Sequence, residues 1–324
     1  MKILVTGGAG YLGSHLVRML LDRGDEVTVL DKLCYGDAGV RDLRGRAGFS
    51  LVTGDICNIG DVVKAIQGRD AVVALAAIVG DPACNLSETD TLNTNYESTK
   101  VLVEISKYYK IQRLVFTSSC SVYGANSNLE LNEGSKLEPI SLYARTRIMS
   151  EQVLFKEAES MPFVILRLAT LFGHSPRMRF DLVINHLTAR AVNEGRIQIY
   201  GGDQWRPFVH VQDAARAILA VLGAEEGQVR SEIFNVGANG LNFKIARLPD
   251  FFLPIFKDLR VEQHPSMEDA RDYRVNFDKI AALTGFKPQK SIADGIREMA
   301  EAFRSGQIRD FRDDVYYNVK YLYR

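Results

Sequence analysis

The 324-residue chain has no surplus of charge of either sign: 40 Lys and Arg stand against 40 Asp and Glu. Binding to nucleic acid or to an anionic membrane needs a basic excess to offset phosphate charge. Neither partner is expected. No apolar run approaches the roughly 18 residues of a membrane span. Lys2 leads at once into a short strand-like run, unlike a signal peptide, so a cytoplasmic location is expected. Cysteine is scarce. Cys34, Cys57, Cys84 and Cys120 lie scattered without metal-ligand spacing, which predicts reduced thiols and no metal site. His174 and His210 have no second ligand at metal spacing and read as structural. Repeats and low-complexity segments are also lacking. What is present is ordinary for a soluble globular protein, with 46% apolar and 25% charged residues. The length allows a large core and suggests two lobes.

Short apolar runs alternate with amphipathic stretches. Strands are predicted at 2–6, 27–30, 50–53, 71–75, 113–117 and 163–167. Helical spacing is read at 12–23, 59–67, 93–108 and 143–158. Continuous apolar strands between helices imply a parallel sheet covered on both faces. The predicted fold class is therefore α/β: a Rossmann-type doubly wound parallel sheet with a smaller mixed α/β C-terminal lobe for substrate. After about residue 173 the pattern loosens. A helix at 181–193 leads to a strand at 197–200, a strand and helix at 208–222 and a strand at 232–236. Residues 1–173 are assigned to the dinucleotide lobe, with 205–236 returning to it. Residues 174–204 and 237–305 are assigned to the substrate lobe. Residues 36–48 read as a surface loop. The tail, 306–324, is charged and aromatic, and reads as a segment packed on its own surface or as a dimer contact.

Gly7, Gly10 and Gly13 stand between the first strand and the first helix. The first allows a tight turn, the second lets backbone approach a pyrophosphate, and the third lets helix pack on sheet. The helix N-terminus then offers free N–H groups to the anion. Asp31 follows 18 positions after Gly13, at the end of the second strand. There it can accept from adenosine ribose hydroxyls and repel a 2′-phosphate, which favours NAD over NADP. Lys32 beside it moderates that preference.

The Gly-x-x-Gly-x-x-Gly spacing resembles the short-chain dehydrogenase/reductase superfamily, in its extended, nucleotide-sugar-modifying branch. Later segments are similar to that branch in order. They are Gly54-Asp55-Ile56, Leu75-Ala76-Ala77, Asn95 in Asn-Tyr-Glu-Ser-Thr, and Thr117-Ser118-Ser119-Cys120-Ser121-Val122-Tyr123-Gly124. Ser141-Leu142-Tyr143-Ala144-Arg145-Thr146-Arg147 takes the place of the Tyr-x-x-x-Lys motif, and Arg206-Pro207-Phe208-Val209-His210-Val211-x-Asp213 follows. Residues 166–185 with Arg271-Asp272-Tyr273 are similar to bacterial GDP-heptose C4-dehydrogenases. The resemblance implies that Gly7, Gly10, Tyr11, Leu12, Asp31, Asp55, Ile56, Leu75, Ala76, Ala77, Asn95, Tyr143 and Arg147 serve NAD. It implies a GDP-, UDP- or dTDP-linked sugar as substrate and a homodimer built on the helices near 95–108 and 143–158.

Oxidising a sugar hydroxyl needs a base for its proton and an acceptor for its hydride. A phenol with an ordinary pKa of about 10 is a poor base unless a fixed cation favours phenolate. The resemblance gives Tyr143 the role of base or acid and Ser119 that of hydroxyl partner, with Ser118 beside it. The chain departs from the pattern at Arg147, where the family carries Lys. Arg keeps the charge and can donate to ribose oxygens, but its planar fork is wider and holds its proton. Two readings stay open: an active enzyme and a site that binds dinucleotide without chemistry. Dehydratases of this branch follow the catalytic Ser or Thr with Asp-Glu, which act in eliminating water. Here Cys120 and Ser121 stand there, so 4,6-dehydration is disfavoured. For the substrate diphosphate, Arg206 and Asn185 match family positions, and Arg177, Arg179 and Arg271 are further candidates. The second diphosphate Arg of the epimerase pattern is replaced by Ser266. The expected reaction is NAD-dependent oxidation at C4 of a nucleotide sugar, with net epimerisation, dehydrogenation or 4-keto reduction all open.

Overall fold

The computed structural model describes residues 1–265 and 271–321 of the chain. Fourteen strands run in chain order through them: β1 (Lys2–Thr6), β2 (Glu26–Asp31), β3 (Phe49–Thr53), β4 (Ala71–Ala74), β5 (Arg113–Ser119), β6 (Ala125–Leu131), β7 (Phe163–Leu168), β8 (Thr170–Phe172), β9 (Arg196–Tyr200), β10 (Trp205–His210), β11 (Glu232–Val236), β12 (Asn242–Lys244), β13 (Arg260–His264) and β14 (Asp272–Val275). Seven form one parallel sheet in the order β11-β7-β5-β4-β1-β2-β3.

The strand pattern explains this sheet. Ile3, Leu4 and Val5 are all fully buried, as are Ala71, Val72 and Val73, because helices cover both faces. Side chains alternate between two cores. Ile3, Val5, Val27, Val29 and Val73 meet Leu16, Val17 and Leu20 of the Gly13–Asp22 helix. Leu4, Leu30, Val72 and Leu114 meet Val62 and Ile66 of the Ile59–Ile66 helix and Leu154 of the Leu142–Glu157 helix. Side-chain caps set two of the starts. Asn58 accepts from the amides of Gly60 and Asp61, and Ser141 accepts from Ala144 N–H. Chain order reverses on either side of β1, so a crevice opens at the strand ends between β1 and β4.

Residues 205–210 differ from expectation. β10 pairs with β8 and β12 in a separate three-stranded sheet. The Val211–Gly223 helix and β11 do reach the large sheet, with β11 paired to β7 at its edge. Two further pairs, β13–β9 and β14–β6, complete the strands. The loop 36–48 is not wholly superficial. Val40 and Leu43 are buried, and Gly39 lies so close to Ala9 that an added Cβ would sit 2.1 Å from its carbonyl oxygen. The helix predicted from residue 93 begins instead with a π-helical turn, Asn93–Glu97, before regular helix at Ser98–Tyr108. The tail folds back on the body: Phe311 is buried, and Tyr316 stacks edge-on against Phe180 at 5.2 Å and accepts its amide N–H through the carbonyl.

Candidate active site

A cavity of about 620 Å³ occupies the crevice. One end is the glycine turn. Gly7 has φ +74° and lies against Ala76, where a Cβ would come within 2.7 Å of the backbone nitrogen. A Cβ on Gly13 would sit 2.4 Å from Gly7 O, so the helix could not approach with any larger residue. A Cβ on Gly10 would meet Gly7 O alone, so its other side faces the cavity. Tyr11, Leu12, Asp31, Asp55 and Ile56 also line this end, with Leu75, Ala76 and Ala77 along the floor. Asp31 accepts from the amides of Ala9 and Leu33 at 2.9 and 2.8 Å. Burial nevertheless pushes its carboxyl above the usual range. Lys32 pairs with Asp55 at 2.8 Å on the rim. A backbone cradle beside the Asp31 carboxylate fits a dinucleotide, and there is no room for a side chain at Gly7 or Gly13.

The chemical end is built on the Leu142–Glu157 helix. Tyr143 and Arg147 stand one turn apart and both line the cavity with Ser118 and Ser119. The guanidinium carbon lies 5.4 Å from the Tyr143 ring centre and 5.4 Å from that of Phe116. Its Nη1 donates to Thr117 O at 3.3 Å, while Nε and Nη2 are buried without a partner among the described residues. Those two donors fit the ribose oxygens that the family's Lys would hold. Burial raises the Tyr143 pKa, and the Arg147 charge pulls it back. Ser119 Oγ accepts from Ser121 N–H at 3.1 Å and keeps its hydroxyl proton for the cavity.

Other predicted residues are placed elsewhere. Asn95 does not line the cavity. Its amide brackets Ile78, accepting from N–H at 2.8 Å and donating to C=O at 2.9 Å, and so fixes the cofactor-side loop. Asn185 is fully buried, bonded to Gly173 N–H, Tyr11 Oη and Arg179 O at 2.9, 3.0 and 2.9 Å. Arg206 is buried outside the lining. It donates to the carbonyls of Trp205 and Arg271 and lies over the Tyr273 ring. Arg271 pairs with Asp81 at 3.2 Å. Arg177 and Arg179 do line the cavity. Arg179 forms a two-pronged pair with Asp181, at 2.9 Å for each bond. Ser266 lies outside the described residues.

Sequence reasoning missed a buried network behind the site. Ser118 donates to Glu151 at 2.6 Å. Arg167 grips the same carboxylate through Nε and Nη2 at 3.1 and 2.7 Å, and donates to Tyr123 Oη at 3.0 Å. Tyr123 in turn donates to Asn235 at 2.8 Å. The available signal was Glu151 four residues after Arg147, on the same helix face. Tyr35 and Asn318, which also line the cavity, had no sequence signal. Cys120, beside the serines, is buried and donates through Sγ to Arg167 O at 3.2 Å. Burial pushes its thiol far up. No described helix is long and apolar enough to cross a membrane, and the described residues hold no metal-ligand cluster.

Known proteins match this arrangement. The model of the NAD dependent epimerase/dehydratase family matches residues 3–237. The dTDP-glucose 4,6-dehydratase of Escherichia coli is 31% identical, over 93% of this chain and 92% of that protein. The dTDP-glucose 4,6-dehydratase of Streptomyces niveus is 29% identical, over 95% and 94%. Among solved structures, UDP-glucuronic acid 4-epimerase from Bacillus cereus, in complex with UDP-glucuronic acid and NAD, superposes with a TM-score of 0.83 at 26% identity, over 94% of this chain and 99% of that one. The dTDP-glucose 4,6-dehydratase DesIV from Streptomyces venezuelae, with NAD bound, gives 0.84 at 28% identity, over 95% and 98%.

Proposed function

The chain belongs to the NAD dependent epimerase/dehydratase family, and from that premise we propose that it oxidises C4 of a nucleotide-activated sugar, as a 4-epimerase or as a 4-dehydrogenase working in either direction. The observation that carries this reading is the face shared by Tyr143 and Arg147, with Ser119 beside them in one cavity. Bound NAD supplies the hydride acceptor. Tyr143 takes the proton of the sugar hydroxyl through its phenolate oxygen. Arg147 favours that phenolate by its charge, and its Nε and Nη2 would hold the ribose of the cofactor. Ser119 hydrogen-bonds the reacting hydroxyl and orients it. The dinucleotide sits in the lobe of the seven-stranded sheet, and residues 174–204 and 237–305 receive the sugar nucleotide. Arg206 and Arg271 lie on that side and would turn from backbone carbonyls and Asp81 toward a diphosphate. The enzyme works in the cytoplasm as a homodimer, through the Ser98–Tyr108 and Leu142–Glu157 helices, where Tyr108 and Phe155 are exposed.

Dehydration is disfavoured despite the relatives so named. Cys120 is buried and bonded to a carbonyl, and Ser121 Oγ is buried without a partner among the described residues. Neither can protonate a departing hydroxyl. A second reading, a dinucleotide-binding sensor without chemistry, draws on Arg147, which cannot relay a proton as Lys does. Incubating the NAD-loaded protein with UDP-, GDP- and dTDP-sugars, a GDP-heptose among them, tests all three. The proposed reading requires an NADH signal or a C4-inverted product. Loss of water in the product mass would mark a dehydratase, and silence on every sugar would mark the sensor.

A further inference from the structure

Arg177 is a buried cation with no counter-ion among the described residues. It is 4% exposed and lines the cavity. No carboxylate among the described residues lies within ion-pair distance of it, in contrast to Arg179, which Asp181 neutralises. Its guanidinium carbon sits 4.0 Å over the Tyr35 ring. Its Nε is buried with no partner among the described residues. Burial and the neighbouring Arg179 push its pKa down to about 10, so it is still charged at neutral pH. An unpaired buried charge is costly unless an anion arrives to meet it.

Its neighbours point to which anion. Tyr35 follows Asp31 in the cofactor-side loop, and the Arg177 charge acts on the Asp31 carboxylate. That loop packs on the glycine turn, where an added Cβ at Gly39 would sit 2.1 Å from Ala9 O, so Arg177, stacked on Tyr35, lies on the cofactor side of the cavity. It is also held from outside the lobe. Nη2 donates at 2.7 Å to Oδ1 of Asn318, which is 2% exposed and lies 141 residues further along the chain. Asn318 Nδ2 donates at 3.3 Å to the carbonyl of Val79, in the loop after β4. Asn318 thus bridges two walls of the cavity, and the packing of Phe311 and Tyr316 on Phe180 anchors its segment.

We propose that Arg177 is a ligand of the NAD pyrophosphate and that Asn318 holds it there, which makes the C-terminal segment part of the cofactor site. A fork-shaped cation suits a diphosphate, and the glycine turn supplies backbone donors for the same group. The proposal rests on NAD binding alone. A protein that holds NAD but turns over no sugar would leave it standing.

The test measures NAD directly on the full chain. NAD-loaded Arg177→Gln, Arg177→Lys and Asn318→Ala proteins, and a chain ending at Tyr317, are diluted and the release of NAD is followed. The expected result is release about tenfold to hundredfold faster for Arg177→Gln. Arg177→Lys should recover part of the loss, and both Asn318 changes should move in the same direction as Arg177→Gln. The thermal shift produced by NAD should shrink in parallel, with circular dichroism unchanged. Calorimetric binding of GDP and UDP to the NAD-loaded forms should stay as in the parent. Unchanged NAD release in Arg177→Gln, or a loss confined to GDP and UDP, would overturn the assignment. Unchanged release in both Asn318 variants would overturn the role of the tail.

Discussion

The guanidinium of Arg147 lies 5.4 Å from the centre of the Tyr143 ring, one turn along the same helix. The geometry keeps a permanent cation beside a phenol whose pKa burial raises, and the cation offsets part of that rise. The pair answers the departure from the family's Lys: charge is preserved, and two buried N–H donors have no partner among the described residues.

Replacing Tyr143 with Phe should remove the base and leave the cavity intact. Turnover is expected to fall about 100-fold to 10,000-fold, the usual span for a general base. NAD should still bind in fluorescence titration, with at most a small loss of affinity, because Tyr143 is one of many groups lining the cofactor cavity.

The pH profile should report the same pair. The base must be phenolate for oxidation, so kcat/KM should rise with pH through the Tyr143 pKa. Burial raises that pKa and Arg147 lowers it. Arg147→Gln removes the lowering influence, so the rising limb should move to higher pH. Arg147→Lys should move it back. A limb that stays put in Arg147→Gln would show that the cation does not tune the phenol.

The pair of Arg167 with Glu151 should matter for stability, since the two side chains are 3% and 5% exposed. Arg167→Met leaves the carboxylate buried with Ser118 alone. The expected loss is about 3–5 kcal/mol in urea unfolding, typical of breaking a buried pair. Adding Glu151→Gln to it should recover much of that loss, because the uncompensated charge is gone.

Asp31 should set the choice of dinucleotide. Asp31→Ser removes the carboxylate that would face a 2′-phosphate. The ratio of NADP to NAD affinity in calorimetry should rise at least about tenfold, by one lost like-charge contact and one weakened ribose bond. NAD affinity should fall as well, because Asp31 also holds the amides of Ala9 and Leu33.

Much of the scaffold was legible because its signals are local. The apolar runs at 71–75 and 163–167 became β4 and β7, and the helical spacing at 59–67 and 143–158 became helices within a residue or two. β10 was harder. Its apolar run suits either sheet, and pairing with β8 and β12 is a choice between distant partners. The same limit explains the polar residues. Asn95 and Asn185 carry amides that suit a ligand, yet both are bonded to backbone from other elements. Nothing in their own neighbourhoods announces those partners.

The sequence by itself determined the glycine turn, the acidic residue that ends β2 and the spacing of four that sets Tyr143 and Arg147 on one helix face. Each follows from steric or helical periodicity acting over a few residues. The tertiary structure alone decided that two Arg147 donors have no partner among the described residues, that Arg206 donates to the carbonyls of Trp205 and Arg271 while Arg271 pairs with Asp81, and that Asn318 reaches back to Arg177. Those outcomes depend on which buried polar groups meet across the fold. Burial obliges every such group to find a partner, but the partner's identity depends on how distant segments pack.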